Sequence, residues 1–253
     1  PSGKLSVEAA GDITLGDGAY LDLSGREIVM YDTSSYSWGG DVILRSTAGN
    51  ITQAVGSTID LSATYNNAGL LTAIALGEGM GAVNLQGTLL AISSGHYDAG
   101  GTDVPYRAGG VDIRAQQLGG GGTLTDQFSA LNTRLNDGGF LGERSFQIKQ
   151  GDLVIGNELR ASKINVSLDN GHLTVAGTID ASGESVGSIR LAGKGGLTLG
   201  ANSVLDAHST VLRVDSYGKI IDSPNRAIVE LSSGEWQLTL TGGSRNYLRH
   251  GGI

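Results

Sequence analysis

Apolar residues recur at every second position in short runs along this chain, and Gly, Asn, Asp or Ser closes each run. The clearest case lies in residues 167–216, where one set of three runs is followed by a similar set: Leu173-Thr-Val, Ile179-Asp-Ala and Ser188-Ile-Arg-Leu, then Leu197-Thr-Leu, Leu205-Asp-Ala and Val211-Leu-Arg-Val. Period-two alternation is typical of β-strands. The offsets of 24 residues from Leu173 to Leu197 and 26 from Asp180 to Asp206 predict stacked coils of short strands.

Two further copies of the pattern lie in the first 63 residues. Ile13 and Leu21 are eight residues apart, as are Ile51 and Ile59, and each pair begins two successive runs. A single coil could not repay the entropy of ordering its backbone, so each coil needs a neighbour that covers its apolar row. We therefore predict an all-β fold, a parallel β-helix (β-solenoid) of eight to ten coils over residues 1–253. Right-handedness follows from the usual crossover preference of parallel strands.

Three segments interrupt the repeat and predict inserts outside the coils. Residues 26–40 read as a strand followed by an aromatic loop, and residues 93–110 are polar and contain Pro105. Residues 119–145 begin with four glycines and include one predicted helix, Thr125 to Asn136, in which Phe128, Leu131 and Leu135 form an apolar face. Thr125 or Asp126 is the expected cap. We expect this short helix to lie on the surface of the coils.

Composition narrows the classes of function. The net charge of −8 argues against a nucleic-acid partner, and the absence of Cys removes disulfides, Cys-based zinc sites and thiol catalysis. No apolar run approaches the length of a membrane span. Pro1 falls within the repeat pattern and Ile253 breaks it off, so we expect a piece of a longer chain. Uncapped ends of such a piece would favour end-to-end self-association.

The repeats resemble the shaft of filamentous-haemagglutinin-like exoproteins, the passengers of bacterial two-partner secretion. Three stretches in residues 107–241 carry the resemblance: Ser145-Phe-Gln-Ile-Lys-Gln-Gly-Asp-Leu-Val-Ile-Gly, Ile179-Asp-Ala-Ser-Gly-Glu-Ser-Val-Gly-Ser-Ile-Arg-Leu and Val211-Leu-Arg-Val-Asp-Ser-Tyr-Gly-Lys-Ile-Ile-Asp-Ser. The resemblance implies a right-handed β-helix, an outer-membrane secretion partner, and a secreted protein on the surface of a Gram-negative bacterium. The family's secretion domain carries Asn-Pro-Asn motifs, which are absent here, so the resemblance points to the shaft.

Acidic residues recur at one point of the coil. Asp22, Asp60, Asp180 and Asp206 each follow an inward Ile or Leu. Carboxylates stacked on adjacent coils could share a calcium ion, or each could accept backbone N–H groups at a bend. We favour the bend, because two exposed charges about 5 Å apart repel by only ~1 kcal/mol in water. The sequence therefore predicts no metal and no cofactor.

Catalysis is the second class of function to consider, since some β-helices degrade polysaccharides. Such chemistry needs carboxylates, alone or with a basic residue, that converge on one face. Glu143, Arg144 and Asp152 are the nearest approach to a cluster in this sequence. The four histidines are widely separated and are expected at surface or turn positions. We predict that the chain is not an enzyme.

Aromatic residues in the first two inserts are the candidate binding residues. Tyr31, Tyr36 and Trp38 in the first insert, with Tyr97 and Tyr106 in the second, could stack on sugar rings or could cover apolar surface where the inserts pack. The resulting prediction is a structural shaft that displays adhesive or toxin regions and contacts a host receptor or glycan. The alternatives are a polysaccharide-degrading enzyme and a glycan-binding module.

Overall fold

The computed structural model describes residues 2–79, 81–211, 217, 219, 227–234 and 238–247. Its strands form three parallel sheets that run side by side along a stack of eight coils. The all-β parallel architecture predicted from the alternating pattern is confirmed. At about 4.8 Å between neighbouring strands, the eight coils extend over about 34 Å.

The first sheet is continuous through all eight coils. Its strands, in spatial order, are β1 (Lys4–Ala9), β6 (Asp41–Ser46), β10 (Leu70–Ala75), β16 (Gly110–Ala115), β18 (Glu143–Ile148), β20 (Lys163–Leu168), β23 (Ser188–Gly193) and β26 (Ile228–Ser232). In β6 the residues Val42, Leu44 and Ser46 are buried while the intervening residues are more exposed. The period-two pattern thus separates the interior from the outer face.

The second sheet is divided into two parts. The first part contains β2 (Ile13–Leu15), β7 (Ile51–Gln53), β11 (Ala82–Leu85) and β17 (Gln117–Leu118). The second contains β19 (Leu153–Ile155), β21 (Leu173–Val175), β24 (Leu197–Leu199) and β27 (Leu238–Leu240). Leu173 pairs with Leu197 across β21 and β24, which is the register that the 24-residue offset predicts.

The third sheet is divided in the same way. One part contains β3 (Tyr20–Asp22), β8 (Thr58–Asp60) and β12 (Thr88–Leu90), and the other contains β22 (Thr178–Asp180), β25 (Val204–Asp206) and β28 (Arg245–Tyr247). Asp180 lies beside Asp206, as the 26-residue offset predicts. Two short strands, β9 (Ala63–Thr64) and β13 (Ser93–Ser94), extend this side of the stack.

Two antiparallel hairpins leave the coils, both inside predicted inserts. The first consists of β4 (Glu27–Met30) and β5 (Thr33–Tyr36), and the second of β14 (His96–Asp98) and β15 (Asp103–Pro105). The predicted strand from Val211 to Val214 lies outside the described residues except for Val211. Pro1, His250 and Ile253 also lie outside them.

The predicted helix exists, but its position differs from the expectation. Helix α1 (Leu124–Asp137) begins one residue before the predicted Thr125 and is capped by Thr123, whose hydroxyl accepts the N–H of Asp126. The Asp126 carboxylate in turn accepts the N–H of Thr123 at 2.8 Å. The Thr123 hydroxyl also donates to this carboxylate at 2.7 Å, and this bond, followed by the one from the Thr123 N–H, lowers the pKa of Asp126. Together they form a capping box, which stabilises the helix start.

The helix lies in the wall of the solenoid, where the fourth coil would otherwise form a strand of the third sheet. On one side the carbonyl of Gly138, at the helix end, accepts the N–H of Ala91 at 2.7 Å. On the other side the Asn136 side chain donates to the carbonyl of Glu158 at 2.9 Å. The expected surface position is therefore wrong. The helical pattern shows which face is buried but not which elements cover it.

One core cluster runs through the stack and includes the apolar face of the helix. Phe128, Leu131 and Leu135 are buried, and the Phe128 ring meets Phe146 of β18 edge-on at 4.9 Å between centroids. Apart from this helix the core is made mainly of Val, Ile, Leu and Ala side chains. The apolar core is continuous across the helix, so the insert closes the wall.

The buried side chain of Arg144 interrupts one row of apolar residues that stack from coil to coil in this core. Arg144 occupies the inward position between Val111 and Ile164 in the first sheet and is fully buried. Its guanidinium donates to the Phe140 carbonyl at 3.0 Å. It also donates to the side-chain oxygens of Asn132 and Asn136, at 2.9 and 2.7 Å. Within the described residues no carboxylate forms an ion pair with Arg144. Burial, followed by the nearby charge of Arg160, lowers the pKa of Arg144 to about 9.

Gly138 allows the helix end to approach the third sheet. A Cβ built on Gly138 would lie 1.7 Å from the carbonyl oxygen of Leu89. We expect Gly138→Ala to destabilise the protein by about 1–3 kcal/mol, because backbone must shift to admit the methyl group. The matched control is Gly121→Ala, where the added Cβ meets no atom within 4 Å. Chemical denaturation of both variants checks this, and equal stability would contradict the close approach.

Candidate functional site

The two hairpins leave the solenoid at the same corner, where the chain passes from the third sheet to the first. The first hairpin lies between β3 and β6, and the second lies between β13 and β16. The coil between them makes the same turn through residues 62–69 without a hairpin. We call this region, residues 24–40, 62–69 and 92–109, the aromatic corner. Three successive coils thus contribute side chains to it.

Tyr36, at the base of the first hairpin, stacks on Tyr65 of the next coil. Their ring centroids are 5.0 Å apart and the rings are tilted by 58°. The Asn66 side chain fixes the pair by donating to the Tyr36 carbonyl at 2.8 Å. The Tyr36 hydroxyl donates to the Glu27 carboxylate at 3.1 Å, and this hydrogen bond raises the pKa of Tyr36. The Tyr65 ring is 53% exposed, so its outer surface is free for contact.

Tyr97 and Tyr106 form a second ring pair on the second hairpin. Their centroids are 5.2 Å apart with a tilt of 40°. The pairing of β14 with β15 positions them, and the Tyr106 N–H donates to the Gly95 carbonyl at 3.1 Å. Tyr97 is 44% exposed and Tyr106 is half-buried. This pair also presents apolar ring surface to solvent.

Gly95 connects the two ring pairs. It has a φ of 82°, and a Cβ built on it would lie 2.4 Å from Cδ1 of Tyr65. The Tyr65 ring therefore lies against the base of the second hairpin. The corner therefore has two ring pairs, Tyr36 with Tyr65 and Tyr97 with Tyr106, and Gly95 contacts both the Tyr65 ring and the Tyr106 backbone.

The other two predicted binding residues are placed differently. Trp38 is 61% exposed and lies on the same corner, beside Gly39, whose N–H donates to the Asn67 carbonyl at 2.9 Å. Tyr31 lies at the tip of the first hairpin, fully exposed, with a φ of 57°. It is five residues along the strand from Tyr36. The structure therefore places Tyr36, Trp38, Tyr97 and Tyr106 at the aromatic corner and Tyr31 at the tip of the first hairpin.

Tyr65 was missed from the sequence, although a signal for it was present. Residues 63–69 follow Ile59-Asp-Leu-Ser, and the segment with the first hairpin follows the similar Leu21-Asp-Leu-Ser. Aligning the two turns would have placed Tyr65 beside the first insert. Only the three-dimensional turn shows that its ring bridges two hairpins.

Polar groups and a small cleft border the rings. Arg107 is exposed, and its N–H donates to the Asn67 side-chain oxygen at 2.8 Å. Its side chain also lines a cleft of about 170 Å³ whose other charged residues are Asp41 and Glu143. That volume is below the roughly 300–1,000 Å³ of pockets that enclose a whole small ligand. The cleft could hold one sugar residue of a longer chain.

The Asp residues at the recurring bend are structural. In Asp22, Asp60, Asp180 and Asp206 the carboxylate accepts the N–H of the residue two positions later, at 2.9–3.2 Å. At Asp22 the hydrogen bond from the Ser24 hydroxyl, followed by the one from the Ser24 N–H, lowers the pKa of the carboxyl group. In the part of the chain that the structure describes, no group of three or more His, Asp or Glu side chains could hold a metal ion. The bend interpretation is confirmed.

The suggested cluster of Glu143, Arg144 and Asp152 does not form. Arg144 points into the core while Glu143 is exposed, because adjacent strand residues face opposite sides. Asp152 instead lines a separate cleft of about 370 Å³ with Asp169, His172 and Lys194. There its carboxylate accepts a hydrogen bond from the backbone N–H of His172 at 2.7 Å.

Within the described residues no helix is long and apolar enough to cross a membrane. No family model matches the chain, and neither a curated protein nor a solved structure matches it. The resemblance to filamentous-haemagglutinin-like shafts is therefore a hypothesis. The function has to be inferred from the geometry of the aromatic corner and of the stacked coils.

Proposed function

We propose that this chain is a structural shaft segment of a secreted bacterial surface adhesin, a right-handed solenoid that contacts glycans through the aromatic corner. The two ring pairs at this corner, Tyr36 with Tyr65 and Tyr97 with Tyr106, are the observation that supports glycan contact most directly. The apolar faces of sugar rings stack on exposed aromatic rings, and neighbouring polar groups bond their hydroxyls.

The shaft role rests on the stacking of the coils. Backbone ladders and a continuous apolar core join each coil to the next, so the rod can hold its outer regions at a fixed distance from the cell. Side chains add further ties. Asp12 accepts the N–H of Asn50 at 2.7 Å, and Asn50 accepts the N–H of Ala82 at 2.9 Å. These ties stiffen the corners, where strand pairing is interrupted.

The proposal keeps the cell-surface location and the outer-membrane secretion partner that the family resemblance implies. An acidic chain with a net charge of −8 fits a role outside nucleic-acid recognition. Adhesive or toxin regions would then be carried by other parts of the full protein.

We expect Tyr65→Ala to weaken glycan binding about tenfold, which corresponds to the stacking energy of roughly 1–1.5 kcal/mol for a ring contact. Tyr65 is the best choice because it touches both hairpins. The matched control is Tyr20→Ala, a tyrosine of similar exposure (60%) on the third sheet. A glycan array followed by calorimetry on the strongest glycan measures both variants.

Equal loss of binding in the Tyr20 and Tyr65 variants would contradict the assignment of the corner. The array also separates the main alternative. Release of shorter sugars would favour an enzyme, and the cleft of Asp152, Asp169, His172 and Lys194 would then be its candidate site. Loss of that release in Asp152→Asn, with binding at the corner retained, would identify the cleft.

A further inference from the structure

A further cleft lies between helix α1 and the third sheet, and it shares no residue with the aromatic corner. It is lined by residues 86–90 together with Val55, Arg134, Asp137 and Gly138, and we call it the helix cleft. It forms where the helix takes the place of a strand, because a helix about 10 Å across leaves a groove beside a sheet whose strands lie about 4.8 Å apart. Its volume is about 370 Å³, within the range of roughly 300–1,000 Å³ that is typical of small-ligand sites.

The guanidinium of Arg134 has unused hydrogen-bond donors in this cleft. Its Nε donates to the Leu85 carbonyl at 2.9 Å, which fixes the side chain between the helix and β11. A guanidinium carries five N–H donors, and in the part of the chain that the structure describes no oxygen accepts from the other four. Burial lowers the pKa of Arg134, so water solvates the group only in part. An acceptor in the cleft would therefore pair donors that the fold leaves unused.

The rest of the lining shows what kind of ligand would supply this acceptor. Asp137 is the other charged residue of the cleft, but it is exposed and, among the described residues, forms no ion pair with Arg134. Val55 and Leu90 add aliphatic surface, with Val55 72% exposed and Leu90 half-buried. Arginine pairs most strongly with a planar oxyanion, which accepts two parallel N–H bonds. The cleft thus presents a cationic group beside an aliphatic surface.

We propose that the helix cleft binds a monocarboxylate with an aliphatic body, whose carboxylate pairs with the Nη atoms of Arg134 and whose chain covers Val55 and Leu90. A sugar acid fits less well, because its hydroxyls would lose water against aliphatic side chains. The net charge of −8 and the nearby C-terminus of the helix both oppose an anion, so the binding is weak. This site is separate from the aromatic corner, and glycan contact there neither requires it nor excludes it.

Octanoate is the probe for this site, and isothermal titration calorimetry on the full chain measures its affinity. Octanol has the same aliphatic body without the charge, octylammonium carries the opposite charge, and glucuronate has the carboxylate on a polar body. We expect octanoate to bind at least about tenfold more tightly than each of these three, because it alone combines a charge-assisted pair with aliphatic contact. Equal affinity for octanol, or tighter binding of octylammonium or glucuronate, would overturn the proposal.

Two substitutions locate the octanoate in the cleft. Arg134→Gln should remove the preference for octanoate over octanol, but it also changes the bond to Leu85 and so the stability of the fold. Val55→Glu avoids this difficulty, because Val55 is exposed, and a carboxylate there repels octanoate and should weaken its binding about tenfold. The matched control is Val29→Glu, a valine of similar exposure (65%) on the first hairpin, which should bind octanoate like the wild type. Unchanged affinity in Val55→Glu, or no binding of octanoate by the wild type, would leave Arg134 as a structural tie and overturn the proposal.

Discussion

Ile179→Asp should destabilise the protein by more than about 4 kcal/mol, the largest effect we expect from a single substitution. Ile179 is fully buried and lies beside Leu205 of the next coil. A carboxylate at this position would be surrounded by aliphatic side chains, which offer it no hydrogen-bond donor. The melting temperature, followed by circular dichroism, should fall by roughly 10 °C.

The neighbouring substitution Asp180→Asn is the matched control for this prediction. Asp180 is adjacent in sequence but lies on the outer side, where its carboxylate accepts the N–H and hydroxyl of Ser182. Asn keeps a side-chain oxygen that can accept the same bonds, so the change should cost less than about 1 kcal/mol. Similar melting temperatures for the two variants would mean that the assignment of inward and outward positions is wrong.

Arg144→Ala should destabilise the protein by about 3–5 kcal/mol, because it leaves a large cavity and three buried oxygen atoms without their donor. These acceptors are the side-chain oxygens of Asn132 and Asn136 and the carbonyl of Phe140. The two Asn side chains tie helix α1 to β18, so hydrogen exchange in the helix should increase most. Uniform exchange across the coils would argue against a local anchor.

Arg144→Met keeps most of the side-chain volume, so it should destabilise the protein less than Arg144→Ala. It also lacks the titratable group, so it is the reference for the pH dependence of stability. Burial holds the native pKa of Arg144 at about 9, below its value in the unfolded chain. Between these two values the unfolded state binds more protons, so the arginine form gains stability as pH rises through 9. Relative to Arg144→Met, the wild type should gain about 1 kcal/mol between pH 8 and pH 10. A difference that stays constant between pH 8 and pH 10 would contradict the lowered pKa of Arg144.

The regular parts of the fold were predictable from sequence, because the alternation of inward and outward residues is a local property. The pairing of Leu173 with Leu197 and of Asp180 with Asp206 follows directly from repeat offsets. Both hairpins fall within segments that interrupt the repeat. The helix was also predictable from the spacing of Phe128, Leu131 and Leu135.

The failures concern contacts between distant parts of the chain. Arg144 was grouped with Glu143 and Asp152 as the nearest approach to a cluster, yet its alternation with Phe146 and Ile148 places it on the inward face of the strand. Its acceptors come from a helix that the pattern could not place. Similarly, Tyr65 belongs to the candidate site only because its ring contacts Tyr36 and Gly95 on neighbouring coils. The candidate site is a product of stacking, which local periodicity does not describe.

Helix α1 has a mechanical consequence for a molecule pulled along its long axis. Between the fourth and fifth coils, β16 pairs with β18, but β17 and β19 do not pair with each other. At the other levels the load is shared by two or three ladders, whereas here it concentrates on a single ladder and the few polar contacts of the helix. Under tension the solenoid should rupture first at this level, so the stack contains a defined breaking point.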